Sequence, residues 1–433
     1  MKNKQLYFSM LLVGMALGTG WAIRGQFGHE QGAAWAGAIG SMSILLVAKR
    51  QDWFNKVFSI VLAGAIGWGV GGMMSYGMVV GYGRASDFVN VCYGLLMLFV
   101  IGGLYGFIGG GLFGLSLGNS SKKSVNWAGL IVEMVAGGII FYYFLIEQIG
   151  WLMTPPRSEV WAVCLGMAVA LTWNMIRNEN YSALRVAVFS GLGGGFGFAF
   201  GNFLQVLGYV SGIKFNFWNV MEYSLGFFGG LGMAYGTFTS KWEKSEDIPP
   251  KTSQLFPLLI VVLVIPFIVW QQSFETKRIE EMLTKINELQ TNNLLSKAVE
   301  WGSLVIIVAM GLLFLYKFYI KKANPISYNF GEIRHLFIIL LGVYIILSFL
   351  ITGAFLSVYR IEQYLYVLNL LALSFLLNLT QPIFSEVDIN YKKWSINLAA
   401  VIILIAIFSL IAINTHSDLK GAHQRFSTET KQF

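Results

Sequence analysis

Charge is scarce in this sequence. Asp, Glu, Lys and Arg make up 12% of the 433 residues, against 56% apolar residues. A soluble protein of this length uses about twice that share of charge. Cysteine is nearly absent: Cys92 and Cys164 both sit in apolar runs, which reads as packing and excludes a disulfide framework. The four histidines, His29, His335, His416 and His423, are too scattered for a multi-histidine metal site. His29-Glu30 starts like a zinc-protease helix, but the second histidine position is Ala33. No Gly-Lys-Ser/Thr phosphate loop occurs, which excludes nucleotide hydrolysis of the Walker type. Neither metal nor cofactor is expected.

What is present is hydrocarbon, in repeated stretches near twenty residues, the length that crosses a bilayer as a helix. The chain reads as an all-α polytopic membrane protein with about thirteen spans. They are placed near 5–23, 33–48, 57–80, 91–117, 127–149, 159–176, 186–207, 218–238, 255–271, 302–319, 335–354, 361–379 and 396–414, with 57–80 bent or broken. The start, Met1-Lys-Asn-Lys, resembles a signal peptide, but no small-residue cleavage motif closes the following run, so it reads as a retained span. The net charge of +8 would suggest nucleic acid in a soluble protein. In a membrane protein, sidedness matters more. With the first residues inside, 18 of the 30 Lys and Arg fall on the inner side, and seven of the outer twelve lie in one long loop and the final tail. Short loops therefore favour a cytoplasmic N-terminus and an outside C-terminus in a cell inner (plasma) membrane. The bilayer and a small solute are the expected partners, a second copy of the chain is a further one, and nucleic acid is not.

Glycine divides the chain, with 43 of 49 before residue 241. Gly102, Gly106, Gly110, Gly114 and Gly118 recur every four residues, a smooth stripe that lets another helix approach closely. Shifting the sequence by 127 pairs Gly64 with Gly191, Gly67 with Gly194, Gly81-Tyr82 with Gly208-Tyr209, and Gly102-Gly103-Leu104 with Gly229-Gly230-Leu231. The expected organisation is a duplicated eight-helix part over 1–240, with parallel four-helix units at about 5–118 and 127–238. An inner linker at 241–254, five apolar helices over 255–414 and a hydrophilic tail at 415–433 follow. Transporters often place their sites between such repeats.

The stretch Trp21-Ala-Ile-Arg24-Gly25-Gln-Phe-Gly28-His29-Glu30-Gln31-Gly32 interrupts an apolar run with ionisable groups among glycines. Charge beside a membrane span is costly unless paired, hydrated or used, and so points to function. Residues 20–32 are expected to form an irregular, partly buried connection. On this topology the outer ends also collect Arg84, Asp87, Arg157, Glu159 and Glu222, with Trp21 and Trp151 at the same level and Asn202 interrupting an apolar segment. Ordinary loop solvation and an interfacial aromatic belt compete with this reading. The shortness and stiffness of Thr154-Pro155-Pro156-Arg157-Ser158-Glu159 speak for held side chains. Guanidinium forks grip carboxylate or phosphate, and tryptophan faces stack on cations. The expected function is a permease for a small polar, anionic or sugar-like solute bound at this outer mouth. Arg24 and Arg157 should converge on one cavity, with Arg24 partly hydrated and contributing little to packing. The alternative is a membrane-embedded enzyme at the outer leaflet, with His29 as base, Glu30 or Glu159 orienting it, and Arg24 and Arg157 holding a phosphate or oxyanion.

Two further features stand out. Glu133 lies about one and a half turns into the fifth span from the inner side, placed to relay protons, to reach the interface or to pair with an inner lysine. An amphipathic helix at 274–300, with Ile279, Met282, Leu283, Ile286 and Leu289 on one face, should lie on the membrane, cover the bundle or pair with a second copy.

Overall fold

The structure, a computed structural model, describes residues 2–287, 293–323, 326–356, 360–417 and 419–426. Among the described residues every regular element is helical, and eleven helices are long and apolar enough to cross a membrane. In chain order the first part comprises α1 (Lys2–Arg24), α2 (His29–Ala48), a single turn α3 (Gln51–Phe54), α4 (Val57–Gly72), α5 (Gly77–Tyr82) and α6 (Phe88–Gly118). It continues with α7 (Trp127–Tyr142), α8 (Val160–Arg177), α9 (Tyr181–Val210) and α10 (Phe217–Phe238). The remainder is α11 (Lys251–Leu259), running through a wider turn into α12 (Ile265–Ser273), then α13 (Thr276–Asn287), α14 (Asn293–Leu315), α15 (Phe330–Thr352), α16 (Ile361–Leu379) and α17 (Tyr391–Ile413).

Helix starts follow their sequences. Asp87, Asn126, Asn216, Asn329 and Asn390 each accept a hydrogen bond from the backbone N–H three residues on, satisfying a donor that a helix leaves orphaned. The run at 57–80 is broken: α4 stops at Gly72, and Met73–Tyr76 separate it from the six residues of α5.

The glycine stripe brings α6 against α9 at backbone contact. A methyl placed on Gly102 would lie 2.4 Å from the Gly194 carbonyl oxygen, one on Gly106 2.1 Å from that of Ser190, and one on Gly114 2.8 Å from Ala183 Cα. The last of the stripe, Gly118, faces the Trp242 ring instead. Between helices this close, large aromatics fill the centre. Trp21, Trp68 and Tyr105 are fully buried, with Trp21 edge-on to the other two at 5.0 and 5.2 Å.

The two segments related by the 127-residue shift do not meet through equivalent residues. Gly67 of α4 packs on Ile108 of α6, which the shift carries onto Gly194 and Tyr235, whereas Gly193 of α9 packs on Phe228 of α10. The first pair also contains the break at 73–76, while α9 is continuous.

Polar groups collect at the two ends of the bundle. At one, Arg50 pairs with Asp52 at 2.6 Å, and Asp52 accepts from the Ser245 amide. Burial opposes ionisation of Asp52, but the hydrogen bonds and charge of Arg50 outweigh it and hold the carboxyl below its ordinary range. Glu133 pairs with Arg177 at 2.6 Å and accepts from Asn174 at 3.0 Å, so its partner is an arginine and not the expected inner lysine. At the other end lie Arg24, Arg84, Arg157, Glu159 and Glu222.

Two expectations are corrected. The irregular connection near the first ionisable cluster spans Gly25–Gly28 alone, because α1 continues through Arg24 and His29-Glu30-Gln31 form the first turn of α2. The amphipathic helix is described over Thr276–Asn287, and Asn293 onward belongs to α14 and not to it; Leu289 lies outside the described residues. Ile279 and Leu283 are buried, and Met282 and Ile286 abut Gly353 at the end of α15, so α13 covers the bundle.

Candidate functional site

Arg24, the last residue of α1, is 2% exposed. The partly hydrated charge expected from sequence is instead a buried hub. Its Nη1 donates to the Tyr76 hydroxyl (2.8 Å) and to Glu222 Oε2 (3.4 Å). Its Nε donates to the His29 carbonyl (3.4 Å), and Nη2 lies 3.1 Å from His29 Nδ1. A guanidinium only donates, so Nδ1 of His29 accepts and the ring proton resides on Nε2. Tyr76 in turn donates to Glu222 Oε1 at 2.6 Å. Helix α1, the break after α4 and helix α10 are thus joined by one buried, charge-balanced triad. Burying an arginine in a membrane bundle requires such a counter-charge.

Above the triad is a cavity of about 240 Å³, walled by Arg24, His29, Ser75, Tyr76, Arg157 and Trp218, with Gly25, Phe27 and Gly77 completing it. Arg24 and Arg157 therefore share one cavity, with His29 beside them. Glu30 is exposed next to His29 and is not part of the wall. Arg157 is exposed and, among the described residues, has no ion pair. With Arg24 matched by Glu222, the cavity keeps about one positive charge, plus the outward N–H of His29.

Arg157 is positioned by Glu159. This buried carboxylate accepts N–H groups from Met153 (2.8 Å), Thr154 (2.9 Å) and the Trp161 indole (2.8 Å), which closes the 153–161 loop on itself. Glu159 is thereby committed to its own loop and does not orient His29. Trp151 is exposed and meets Trp161 edge-on, away from the cavity.

Arg84 lies behind the cavity wall. Its guanidinium faces the rings of Trp218 (5.7 Å) and Tyr209 (5.1 Å), and Trp218 stacks on Tyr76, whose other neighbour is Arg24. The two arginines thus bracket an aromatic pair. Arg84 also donates to Gln205 (3.0 Å), which accepts from fully buried Asn202 (3.2 Å). Asp87 serves as the N-cap of α6, a structural role.

Sequence reasoning missed Tyr76 and Ser75 as wall residues. The signal was Met73-Met74-Ser75-Tyr76-Gly77, where polar and small residues interrupt an apolar run. It also undervalued the later helices: Tyr344 of α15 stacks on Trp35 at 4.5 Å and donates to the Gly32 carbonyl, and Tyr366 of α16 meets Asn219. No protein-family model matches the chain, and comparison with curated proteins and with solved structures found no match.

Proposed function

We propose that this integral membrane protein is a permease for a small anionic solute, bound in the cavity between Arg24, His29, Arg157 and Trp218. The observation that carries the reading is the uncompensated Arg157 guanidinium facing a cavity whose other arginine is already neutralised. At about 240 Å³ the cavity falls just below the range of drug-sized ligand sites, which suits a solute of few heavy atoms. The walls draw on both halves of the Gly-rich part, Arg24, His29 and Tyr76 from the first and Arg157 and Trp218 from the second, as a site between two halves of a bundle would.

We count thirteen crossings in this reading, adding α4 with α5, and α10, to the eleven long apolar helices. The segment after α17 reaches the Arg24 end, whereas α1 starts at the opposite end, as an odd count requires. The Arg24 end is then the outside of a plasma membrane and the lysine-rich end the cytoplasm. The enzyme alternative has less support, because Nδ1 of His29 faces Arg24 where a base would need a carboxylate.

The test is a stability screen of the purified protein in nanodiscs against acetate, lactate, succinate, sulfate, phosphate and glucose. At least one anion should stabilise the wild type by mass action. Arg157→Ala should weaken that anion about ten- to 150-fold, the equivalent of one charge-assisted hydrogen bond of about 1.5–3 kcal/mol, and Arg157→Lys less. A response to none of the anions, or unchanged binding in Arg157→Ala, would sink the assignment.

A further inference from the structure

The segment Leu419–Phe426, which follows α17, lies across α5 and the start of α6 at the Arg24 end. It is held by its backbone. The Leu419 N–H donates to the Arg84 carbonyl (3.4 Å) and the His423 N–H to the Gly81 carbonyl (3.0 Å), while Arg84 Nη1 donates to the Lys420 carbonyl (3.4 Å). The Asn90 side chain, fully buried, reads the next peptide units from both sides: Oδ1 accepts from the amides of Arg425 (2.6 Å) and Phe426 (2.9 Å), and Nδ2 donates to the Phe426 carbonyl (3.0 Å). Phe426 meets Tyr93 edge-on at 5.3 Å, and Arg425 Nη2 donates to the Leu152 carbonyl (3.0 Å). Two glycines make the fit. Gly421 has φ +78°, a conformation that side chains disfavour, and a methyl on Gly81 would lie 2.1 Å from the His423 ring.

These contacts reach three parts of the cavity wall. Gly77 opens α5, which has only six residues and no side-chain cap. A helix that short has no stability of its own and holds its place only by packing. Leu152 belongs to the connection that carries Arg157, and Arg84 abuts Trp218. We propose that residues 419–426 are an intramolecular latch, bound in a groove formed by Gly81, Arg84, Asn90, Tyr93 and Leu152, which holds the outer half of the broken helix in place. Its release frees α5 and opens the cavity. The inference does not depend on which solute the cavity takes.

The test needs no ligand. In a Cys92→Ser/Cys164→Ala background, Ser75→Cys places one thiol in the cavity wall. Its rate of labelling by a bulky maleimide is compared with and without Asn90→Leu/Gly421→Val in the full chain, in nanodiscs. Tryptic cleavage after Lys420 and Arg425 reports latch docking in parallel. The latched protein should resist cleavage, and the double variant should be cleaved quickly and labelled at least about tenfold faster, as the loss of one to two net hydrogen bonds predicts. An added peptide of residues 415–426 should restore slow labelling. The proposal fails if the latched protein is cleaved as fast as the variant, if cleavage stays slow in the variant, or if cleavage rises with labelling unchanged.

Discussion

The Arg24–Glu222–Tyr76 triad makes the sharpest energetic prediction. Glu222→Met removes the one carboxylate, among the described residues, that pairs with a guanidinium 2% exposed. Breaking one side of a buried pair costs about 3–5 kcal/mol, because the remaining charge is left without compensation. Arg24→Met should cost a similar amount by stranding Glu222, which retains only Tyr76. Tyr76→Phe, which removes one bridging hydroxyl, should cost about 1–3 kcal/mol. Replacing both ions together leaves no uncompensated charge and strands only the Tyr76 hydroxyl, at about 1–3 kcal/mol, so Arg24→Met/Glu222→Met should lie within about 3 kcal/mol of the wild type. The singles sum to about 6–10 kcal/mol, so the expected coupling is several kcal/mol, far outside additivity. Unfolding in mixed micelles titrated with SDS and followed by circular dichroism measures all four proteins. Additive effects, or single variants within about 0.5 kcal/mol of the wild type, would refute the view that Arg24 is held as a buried ion.

Gly106→Ala places a methyl 2.1 Å from a backbone oxygen of α9 and should destabilise by about 1–3 kcal/mol in the same assay, whereas Gly103→Ala, with 3.6 Å of room, should be neutral or slightly stabilising. Asp52 has its folded pKa held below the unfolded value of about 3.9, so its contribution is present above that pH and lost as pH falls through the folded value. The stability gap between wild type and Asp52→Asn should therefore narrow as pH drops below about 4, and a gap that widens there would contradict the Arg50 pairing. In cysteine-free intact spheroplasts, an impermeant thiol reagent should label Gln424→Cys and spare Ser121→Cys; the reverse pattern would overturn the odd count of crossings.

Much of the fold was legible because hydrocarbon thickness leaves a coarse signal. The expected spans fall on helices, the one at 57–80 broken at Met73–Tyr76, and the four-residue glycine stripe lies where α6 meets α9 except for Gly118. The convergence of Arg24, His29 and Arg157 was legible as well, since ionisable residues beside membrane spans are few. Their states were not. Nothing in the local sequence tells a hydrated Arg24 from a buried one, because its counter-charge lies 198 residues away and the bridging tyrosine 52 away. The extent of the irregular connection was misjudged for a related reason. Polar residues at 29–31 suggested a loop, but at the first turn of α2 they meet other chain segments: Gln31 bonds to Gln272, and His29 to Arg24. The latch was beyond reach, as it binds through peptide groups that any sequence carries.

The centre of the bundle constrains how a bound solute could pass. Trp21 precedes Arg24 by three residues of α1, about 4.5 Å at 1.5 Å per residue, and Trp68 lies one turn before the end of α4, so both rings sit deeper than the cavity. Together with Tyr105 they close the path below it. A rotamer change at Trp68 cannot open that path. Methyls on Gly37, Gly109 and Gly229 would come within 2.7, 2.6 and 2.9 Å of its side chain, so α2, α6 and α10 crowd the ring. In the proposed permease, passage therefore requires one helix group to move against another. The seams available are the glycine contacts themselves, where few side chains interlock, and the break at Met73–Tyr76, where the backbone is already released from the helix. The triad spans that break: Tyr76 sits in it and binds both Arg24 of α1 and Glu222 of α10. A solute anion entering beside Arg24 would compete with Glu222 for the same guanidinium, and so would act on the joint that fixes these segments together.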